Sequence, residues 1–161
     1  MKKTSPEIAM LLQLIDESYE KKAWHGPNLK GAIRGLTARQ AAWRPRPGRH
    51  NIWELVLHCA YWKYIVRRRI LGEKRGSFPH KGSDWFARRA NLTEKAWRED
   101  VRLLDSSHRA MRKAVAGLRR NDLHRAPVGS KVGKNRIIMG IASHDLYHAG
   151  QIQLIKRLKK A

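Results

Sequence analysis

Apolar side chains recur every three to four residues in four stretches of the chain, which is the spacing of an amphipathic α-helix. The first stretch places five of them on one face: Ile8, Leu11, Leu12, Ile15 and Tyr19. Thr4 and Glu7 stand at the spacing of a capping box, so we predict that a helix begins there. Gly26 and Pro27 are expected to end this helix near Trp24.

The second and third stretches predict two longer helices. Asn51 and Glu54 form a second capping pattern, and the helix they begin is expected to run to about Leu71. Its apolar face contains Leu55, His58, Cys59, Trp62, Ile65 and Val66. The third helix is predicted to begin near Asn91 or Thr93. Its apolar positions alternate four and three apart, as helix packing requires: Trp97, Val101, Leu104, His108, Met111, Val115 and Leu118.

The fourth predicted helix runs from about Asn135 to Leu158. Its inner face contains Ile137, Ile141, His144, His148, Ile152 and Ile155. Long connections precede the second and third helices, and Thr37 to Gln40 predicts a short helical turn inside the first connection. No segment alternates long enough to indicate a strand. The pattern therefore predicts an all-α four-helix bundle with two long connections.

The length of 161 residues is typical of a single domain, so we expect residues 1–161 to form one. The longest apolar run, residues 137–142, is too short to span a bilayer, and no membrane association is expected. Cys59 is the single cysteine, which excludes an internal disulfide framework and favours a cytoplasmic location.

The charge of the chain changes this picture, because 35 Lys and Arg stand against 13 Asp and Glu, for a net charge of +22. Such a protein attracts polyanions, and non-specific binding of nucleic acid is one interpretation. The basic residues are scattered in short clusters, however, and no long basic block is present. A solvated basic surface without a specific function is the alternative interpretation.

Three histidines lie on the predicted apolar faces in a pattern that suits a metal ion. His144 and His148 are four residues apart, so both imidazoles face the same way, and His58 occupies the corresponding face of the second helix. Together they supply three of the four ligands of a tetrahedral site. Hydrogen-bonded core histidines are the alternative. His108 also lies on a predicted apolar face. Three roles stay open for it: a core histidine, a hydrogen-bond partner of a metal ligand, or a fourth ligand.

The chain resembles the bacterial family of DinB/YfiT-like bundle proteins. The resemblance rests on four segments: Trp24–Pro27, Ala42–Pro45, Ile52–His58 with Trp62, and above all His144-Asp145-Leu146-Tyr147-His148-Ala149-Gly150-Gln151-Ile152. It implies an up-down-down-up helix order, a homodimer, and a divalent metal, zinc or nickel, bound by His58, His144 and His148.

The resemblance also implies an activity, because some relatives resemble thiol S-transferases. Three neutral imidazoles leave the metal its full charge and an open position, which can activate a low-molecular-weight thiol for attack on an electrophile. If the metal activates water instead of a thiol, the protein is a hydrolase, which is the variant of this chemistry. Arg44, Arg46 and Arg49 are candidates for binding the carboxylates of an anionic thiol. Asp145 and Tyr147 are candidates for orienting a ligand or transferring a proton.

Two alternatives to this enzymatic interpretation stay open. One is a basic bundle that binds nucleic acid, and the other is a non-catalytic bundle in which the metal is structural. No nucleic-acid-binding motif is recognisable in the sequence.

Overall fold

A computed structural model describes residues 5–74, 76–88, 90 and 92–160. Within these residues the backbone forms six α-helices and one short 3-10 helix and contains no strand, so the all-α prediction is confirmed. The α-helices are α1 (Pro6–Tyr19), α2 (Leu29–Ile33), α3 (Ala38–Ala42), α4 (Ile52–Leu71), α5 (Glu94–Ala116) and α6 (Lys134–Leu158); the 3-10 helix is Arg120–Asp122. None of the described helices is both long and apolar enough to cross a membrane.

Helix α1 begins where the sequence predicts but ends earlier. Its N-cap is Ser5, whose hydroxyl accepts from the N–H of Ile8, while Thr4 lies outside the described residues. The helix ends at Tyr19, not near Trp24. The physical reason is that the apolar face ends there: residues 20–22 are charged and exposed, and Trp24 is fully exposed, so continuing the helix would bury nothing.

The capping predictions for α3 and α4 are confirmed. Thr37 and Gln40 form a reciprocal capping box at the start of α3, and Asn51 and Glu54 form one at the start of α4. Gly72 ends α4 in the left-handed conformation, with φ of 68°. Each box satisfies two backbone N–H groups that a helix otherwise leaves unpaired.

The remaining boundaries agree with the sequence to within a few residues. Helix α5 is capped by Thr93, and Asn91, the alternative start, lies outside the described residues. Helix α6 begins at Lys134. Helix α2, which the apolar pattern did not predict, is only five residues long and is capped by Asn28. A single helical turn is too short to show a helical period.

Helix α4 packs against both α5 and α6, and α1 also packs against α5 and α6. The buried side chains form two hydrophobic clusters. One surrounds the first half of α4 and contains Trp53, Leu57, Trp97 and Ile152 among its members. The other joins α1 to the second half of α4 and contains Ile8, Ile15, Met111 and Ile138. The first nine residues of α4, 52–60, are all buried, so this helix is surrounded by protein where it carries His58.

The interior also contains a fully buried ion pair between Lys63 of α4 and Asp145 of α6. Desolvation of each ion costs several kcal/mol, about the amount that their mutual attraction and hydrogen bond return. The pair therefore adds little net stability, but a packing of α4 on α6 that separated the two charges would be strongly disfavoured.

His108 of α5 is completely buried, and its ring stacks on Tyr19 with 3.9 Å between the centroids. Neither ring nitrogen has a hydrogen-bond partner in the described part of the chain. Burial, together with the positive charges of Lys63 and Arg112, lowers the pKa of His108 to about 2. His108 is therefore a neutral core residue, one of the three roles that the sequence left open.

The depressed pKa of His108 predicts a loss of stability in acid. The unfolded chain takes up this proton below a pH of about 6.5, whereas the folded chain does so only near 2, so the free energy of unfolding falls as the pH drops through that range. Replacing His108 by Phe, which keeps the stacked ring, should reduce the slope of stability against pH by about 1.4 kcal/mol per pH unit between pH 6 and pH 4. Urea unfolding of the metal-free protein measures this slope. A matched His124→Phe change at an exposed position should leave it unaltered, and equal slopes for wild type and His108→Phe would contradict the prediction.

Candidate metal centre

The imidazoles of His58, His144 and His148 converge between α4 and α6. The Nε2 atom of His144 lies 3.0 Å from Nε2 of His58 and 3.1 Å from Nε2 of His148. His58 and His148 are buried and His144 is half-buried. We call these three residues the histidine triad. The four-residue spacing predicted that His144 and His148 share a face, and the packing of α4 on α6 brings His58 to them.

Two members of the triad are held by hydrogen bonds at their outer nitrogens. Nδ1 of His148 lies 2.7 Å from Oε1 of Gln151, and Nδ1 of His58 lies 2.9 Å from the carbonyl oxygen of Asp84. Both partners are acceptors, so both Nδ1 atoms carry the proton and both Nε2 atoms present a lone pair. Both lone pairs point at the ring of His144. A metal cation between the three rings would accept these lone pairs.

Burial lowers the pKa of all three imidazoles. The pKa of His148 falls to about 4 and that of His144 to about 3, because a buried imidazolium is poorly solvated and the neighbouring rings would repel its charge. All three rings are therefore neutral at pH 7, the form that ligates a metal. Their ligand atoms lie within 4.8 Å of one another, so the group can hold a metal ion.

The loop between α4 and α5 covers one side of the triad. Asp84, with φ of 66°, accepts from Nε1 of Trp62 at 2.7 Å in addition to its contact with His58. The indole of Trp85 stacks on the His58 ring, with 3.9 Å between the centroids. Sequence analysis missed both residues, because a loop without periodicity gives no signal of where it folds back.

Gln151 was also missed as a partner of the triad, although its position carries a usable signal. It follows His148 by three residues on the same helix, where side chains are neighbours. A histidine ligand generally needs an acceptor for its second nitrogen. The sequence His148-Ala149-Gly150-Gln151 therefore contains the pairing that the structure forms at 2.7 Å.

A cavity of about 700 Å³ opens beside His148. Most of its surface is apolar, and its polar lining groups come from both the α3–α4 connection and α6. Its lining includes Trp43, Arg46, Arg49, Trp85, Tyr147 and Leu154. A pocket of this size accommodates a small organic molecule.

The three arginines that were predicted together lie in different surroundings. Arg46 and Arg49 are exposed and line the cavity. Arg44 instead directs its guanidinium at Glu54, with Nη1 3.0 Å from Oε2, and at the carbonyl oxygen of Arg49. It therefore stabilises the start of α4, and both N–H groups of Nη1 and one of Nη2 donate to protein acceptors.

Asp145 and Tyr147 also point in different directions. Asp145 is buried against Lys63, and burial raises its pKa although the Lys63 ammonium opposes this. Tyr147 is largely exposed and lines the cavity, where its hydroxyl accepts from Nε2 of Gln151 at 3.1 Å. Of these two residues, Tyr147 lines the cavity and Asp145 does not.

Cys59 is fully buried next to this region. Its sulfur, a ring nitrogen of His144 and a carboxylate oxygen of Asp145 lie within 4.8 Å of one another. Burial raises the pKa of the Cys59 thiol, which keeps it protonated and unreactive.

His25 is exposed in the turn after α1.

Comparison with known protein families gives a match over most of the chain. The sequence model of the DinB superfamily matches residues 23–152, a range that includes α2 to α5, all three triad histidines and most of α6. No curated protein and no solved structure matches the chain significantly.

The triad predicts stoichiometric metal binding. Protein purified without a histidine tag and incubated with zinc or nickel should contain about one metal ion per chain, measured by plasma mass spectrometry. His144→Ala/His148→Ala should contain less than about a tenth of that, because two of three ligands are gone. His124→Ala, at an exposed position, is the matched control and should bind as wild type does. Wild-type protein that binds neither metal would show that the triad is a polar part of the core.

Proposed function

Since this chain belongs to the DinB superfamily, we propose that it binds a divalent metal, zinc or nickel, through His58, His144 and His148 and acts as a metal-dependent thiol S-transferase. The observation that carries the proposal is the convergence of three neutral imidazoles beside an open cavity. A bound divalent metal would supply Lewis acidity, which favours the deprotonated form of a thiol or of water. Imidazole ligands suit several divalent metals, so the ligand set alone does not select between them.

The cavity supports a co-substrate with both anionic and apolar parts. Arg46 and Arg49 are exposed guanidinium groups that line the cavity, and they would bind the carboxylates of a low-molecular-weight thiol. Trp43 and Leu154 are apolar lining residues that would exclude water from an electrophilic substrate. The thiol would thus be held with its sulfur toward His148.

The proposed reaction joins the thiol sulfur to an electrophilic carbon. A sulfur–carbon bond forms, the bond to the leaving group breaks, the leaving group departs with the electron pair, and the thiol proton passes to solvent. Tyr147, with its hydroxyl at the cavity, is the residue we assign to orienting the substrate or relaying that proton. We assign Asp145 a positioning role, in which its ion pair with Lys63 fixes the backbone next to His144. We infer a cytoplasmic location, where thiols of this kind stay reduced.

We also infer that the four long helices form one domain in up-down-down-up order. The contacts between Glu7 and Arg120 and between Tyr19 and Asp105 support antiparallel packing of α1 and α5. The edge-to-face contact of Trp53 with Trp97, at the start of both helices, supports parallel packing of α4 and α5. The packing of α1 on α6, from opposite ends of the chain, supports a single domain.

Conjugation of glutathione with 1-chloro-2,4-dinitrobenzene tests the activity, because loss of chloride gives an absorbing thioether. Metal-loaded wild type should accelerate this reaction, and His144→Ala/His148→Ala should fall to the uncatalysed rate. His124→Ala should retain the wild-type rate. Full metal loading without turnover on a panel of thiols and electrophiles, or of esters and amides for the hydrolase variant, would overturn the enzymatic proposal and favour a structural metal.

The two arginines are tested in the same assay. Arg46→Ala/Arg49→Ala should raise KM for glutathione by on the order of tenfold, the effect of losing charge-assisted hydrogen bonds, and leave KM for neutral 2-mercaptoethanol unchanged. Arg39→Ala, exposed on α3 and outside the cavity lining, is the matched control. An equal change in KM for both thiols would contradict the assignment.

We further propose a homodimer, as the family resemblance implies. Exposed apolar side chains of Met10, Leu14 and Met139 line a shallow groove between α1 and α6, and a second copy would remove them from water. Sedimentation should give about twice the chain mass of 18.7 kDa. Met10→Glu/Met139→Glu should give the monomer, whereas Val128→Glu, at a fully exposed loop position, should not. Monomeric wild type at tens of micromolar would contradict the proposal.

A further inference from the structure

The outer face of α5 carries a straight row of cations. Its members are Lys95, Arg98, Arg102, Arg109 and Lys113, and all five are exposed. At 3.6 residues per turn they fall within about 60° of the helix circumference, along about 27 Å of its length. We call this row the basic stripe. Its residues are three, four or seven apart, so they do not form a basic run in the sequence.

Three of the four acidic residues of α5 bind donors elsewhere in the bundle, which leaves the stripe predominantly positive. Asp100 is buried and accepts from Nε1 of Trp53 at 2.7 Å. Asp105 accepts from the hydroxyl of Tyr19, and Glu94 accepts from the first backbone N–H of α3 at 2.7 Å. These carboxylates satisfy donors of the bundle, so they do not neutralise the outer face.

No member of the stripe forms an ion pair within the described part of the chain. Arg112 of the same helix, by contrast, pairs with Asp16 at 2.7 Å. Glu99 is the exposed carboxylate beside the stripe, and among the described residues it too forms no ion pair. Arg34, at the end of α2, lines a groove together with Arg98 and Arg102, which extends the positive surface onto a second element. The five cations of the stripe, together with Arg34, therefore have solvent as their partner.

We propose that the basic stripe binds the phosphate backbone of double-stranded nucleic acid without reading its sequence. A duplex presents one negative charge about every 1.7 Å, so 27 Å of duplex offers each cation of the stripe a phosphate. Helix α5 contains no Asn or Gln, the residues that most often read adenine in the major groove. Backbone contacts of this kind fix position but carry no sequence information.

An anionic membrane is the less favourable partner for this surface. A helix that binds at a lipid surface inserts an apolar face, whereas the apolar face of α5 is buried in the protein. No large hydrophobic side chain of α5 is exposed. The stripe thus presents positive charge without an apolar side chain that could insert into a bilayer, which suits a polyanion in solution. The proposal is independent of the metal site, since none of its residues contributes to the triad or to the neighbouring cavity.

Binding of a mixed-sequence 20-base-pair DNA duplex, followed by fluorescence anisotropy from 50 to 200 mM NaCl, tests the proposal. The logarithm of the affinity should fall against the logarithm of the salt concentration with a slope of about −4.5, as five phosphate contacts imply. Arg98→Gln/Arg102→Gln/Arg109→Gln should reduce the slope to about −1.8 and weaken binding at 100 mM NaCl by on the order of 100-fold.

The control removes the same charge from another part of the surface. Lys131→Gln/Lys134→Gln/Arg136→Gln lies at the start of α6 and should weaken binding by less than about threefold, with the slope unchanged. Circular dichroism melting verifies that both variants fold. Equal losses in the two variants would show that diffuse net charge binds the duplex and would overturn the proposal. Absence of wild-type binding at 50 mM NaCl would overturn it as well, as would a stripe variant that loses binding to phosphatidylserine vesicles but not to DNA.

Discussion

The buried ion pair between Lys63 and Asp145 fixes how α4 lies against α6, and the candidate metal centre depends on that register. Asp145 follows His144 directly in the chain, and Lys63 lies five residues after His58 on α4. Because an unpaired charge in this interior would cost several kcal/mol, a sliding of α6 along α4 is disfavoured far more than in a purely apolar contact. The same contact then holds Nε2 of His144 3.0 Å from Nε2 of His58.

The triad also depends on a segment that is not helical. Asp84 and Trp85, in the connection between α4 and α5, fix the His58 ring by a hydrogen bond and by stacking. Gln151 performs the equivalent function for His148 from within α6. A helix provides the position of a side chain, but the orientation of its ring needs a partner at the second nitrogen. The connection is therefore part of the site, although it contributes no residue to the triad.

Charge is sorted in this protein by depth. The carboxylates that reach inward, such as Asp100 and Asp105, satisfy donors from neighbouring helices, whereas the five cations of the basic stripe stay in solvent. A strongly basic chain can therefore fold around an apolar interior, because its long basic side chains keep their charges hydrated at the surface. Lys63 is the buried exception among the described residues, and Asp145 neutralises it. The proposed activity and the proposed nucleic-acid surface consequently occupy different parts of the molecule.

The sequence by itself determined the four long helices, the capping boxes of α3 and α4, and the shared face of His144 and His148, because these depend on local periodicity and on hydrogen bonds within one turn. It did not determine the early end of α1, because the residues that follow Tyr19 are polar and show no apolar period. It did not determine the presence of α2 either, because five residues are too few to show a helical period. Only the tertiary structure decided that Arg44 pairs with Glu54 while Arg46 and Arg49 line the cavity, and that Asp145 faces Lys63. Contacts between residues distant along the chain arise from the packing of helices and loops, and neither composition nor spacing encodes them.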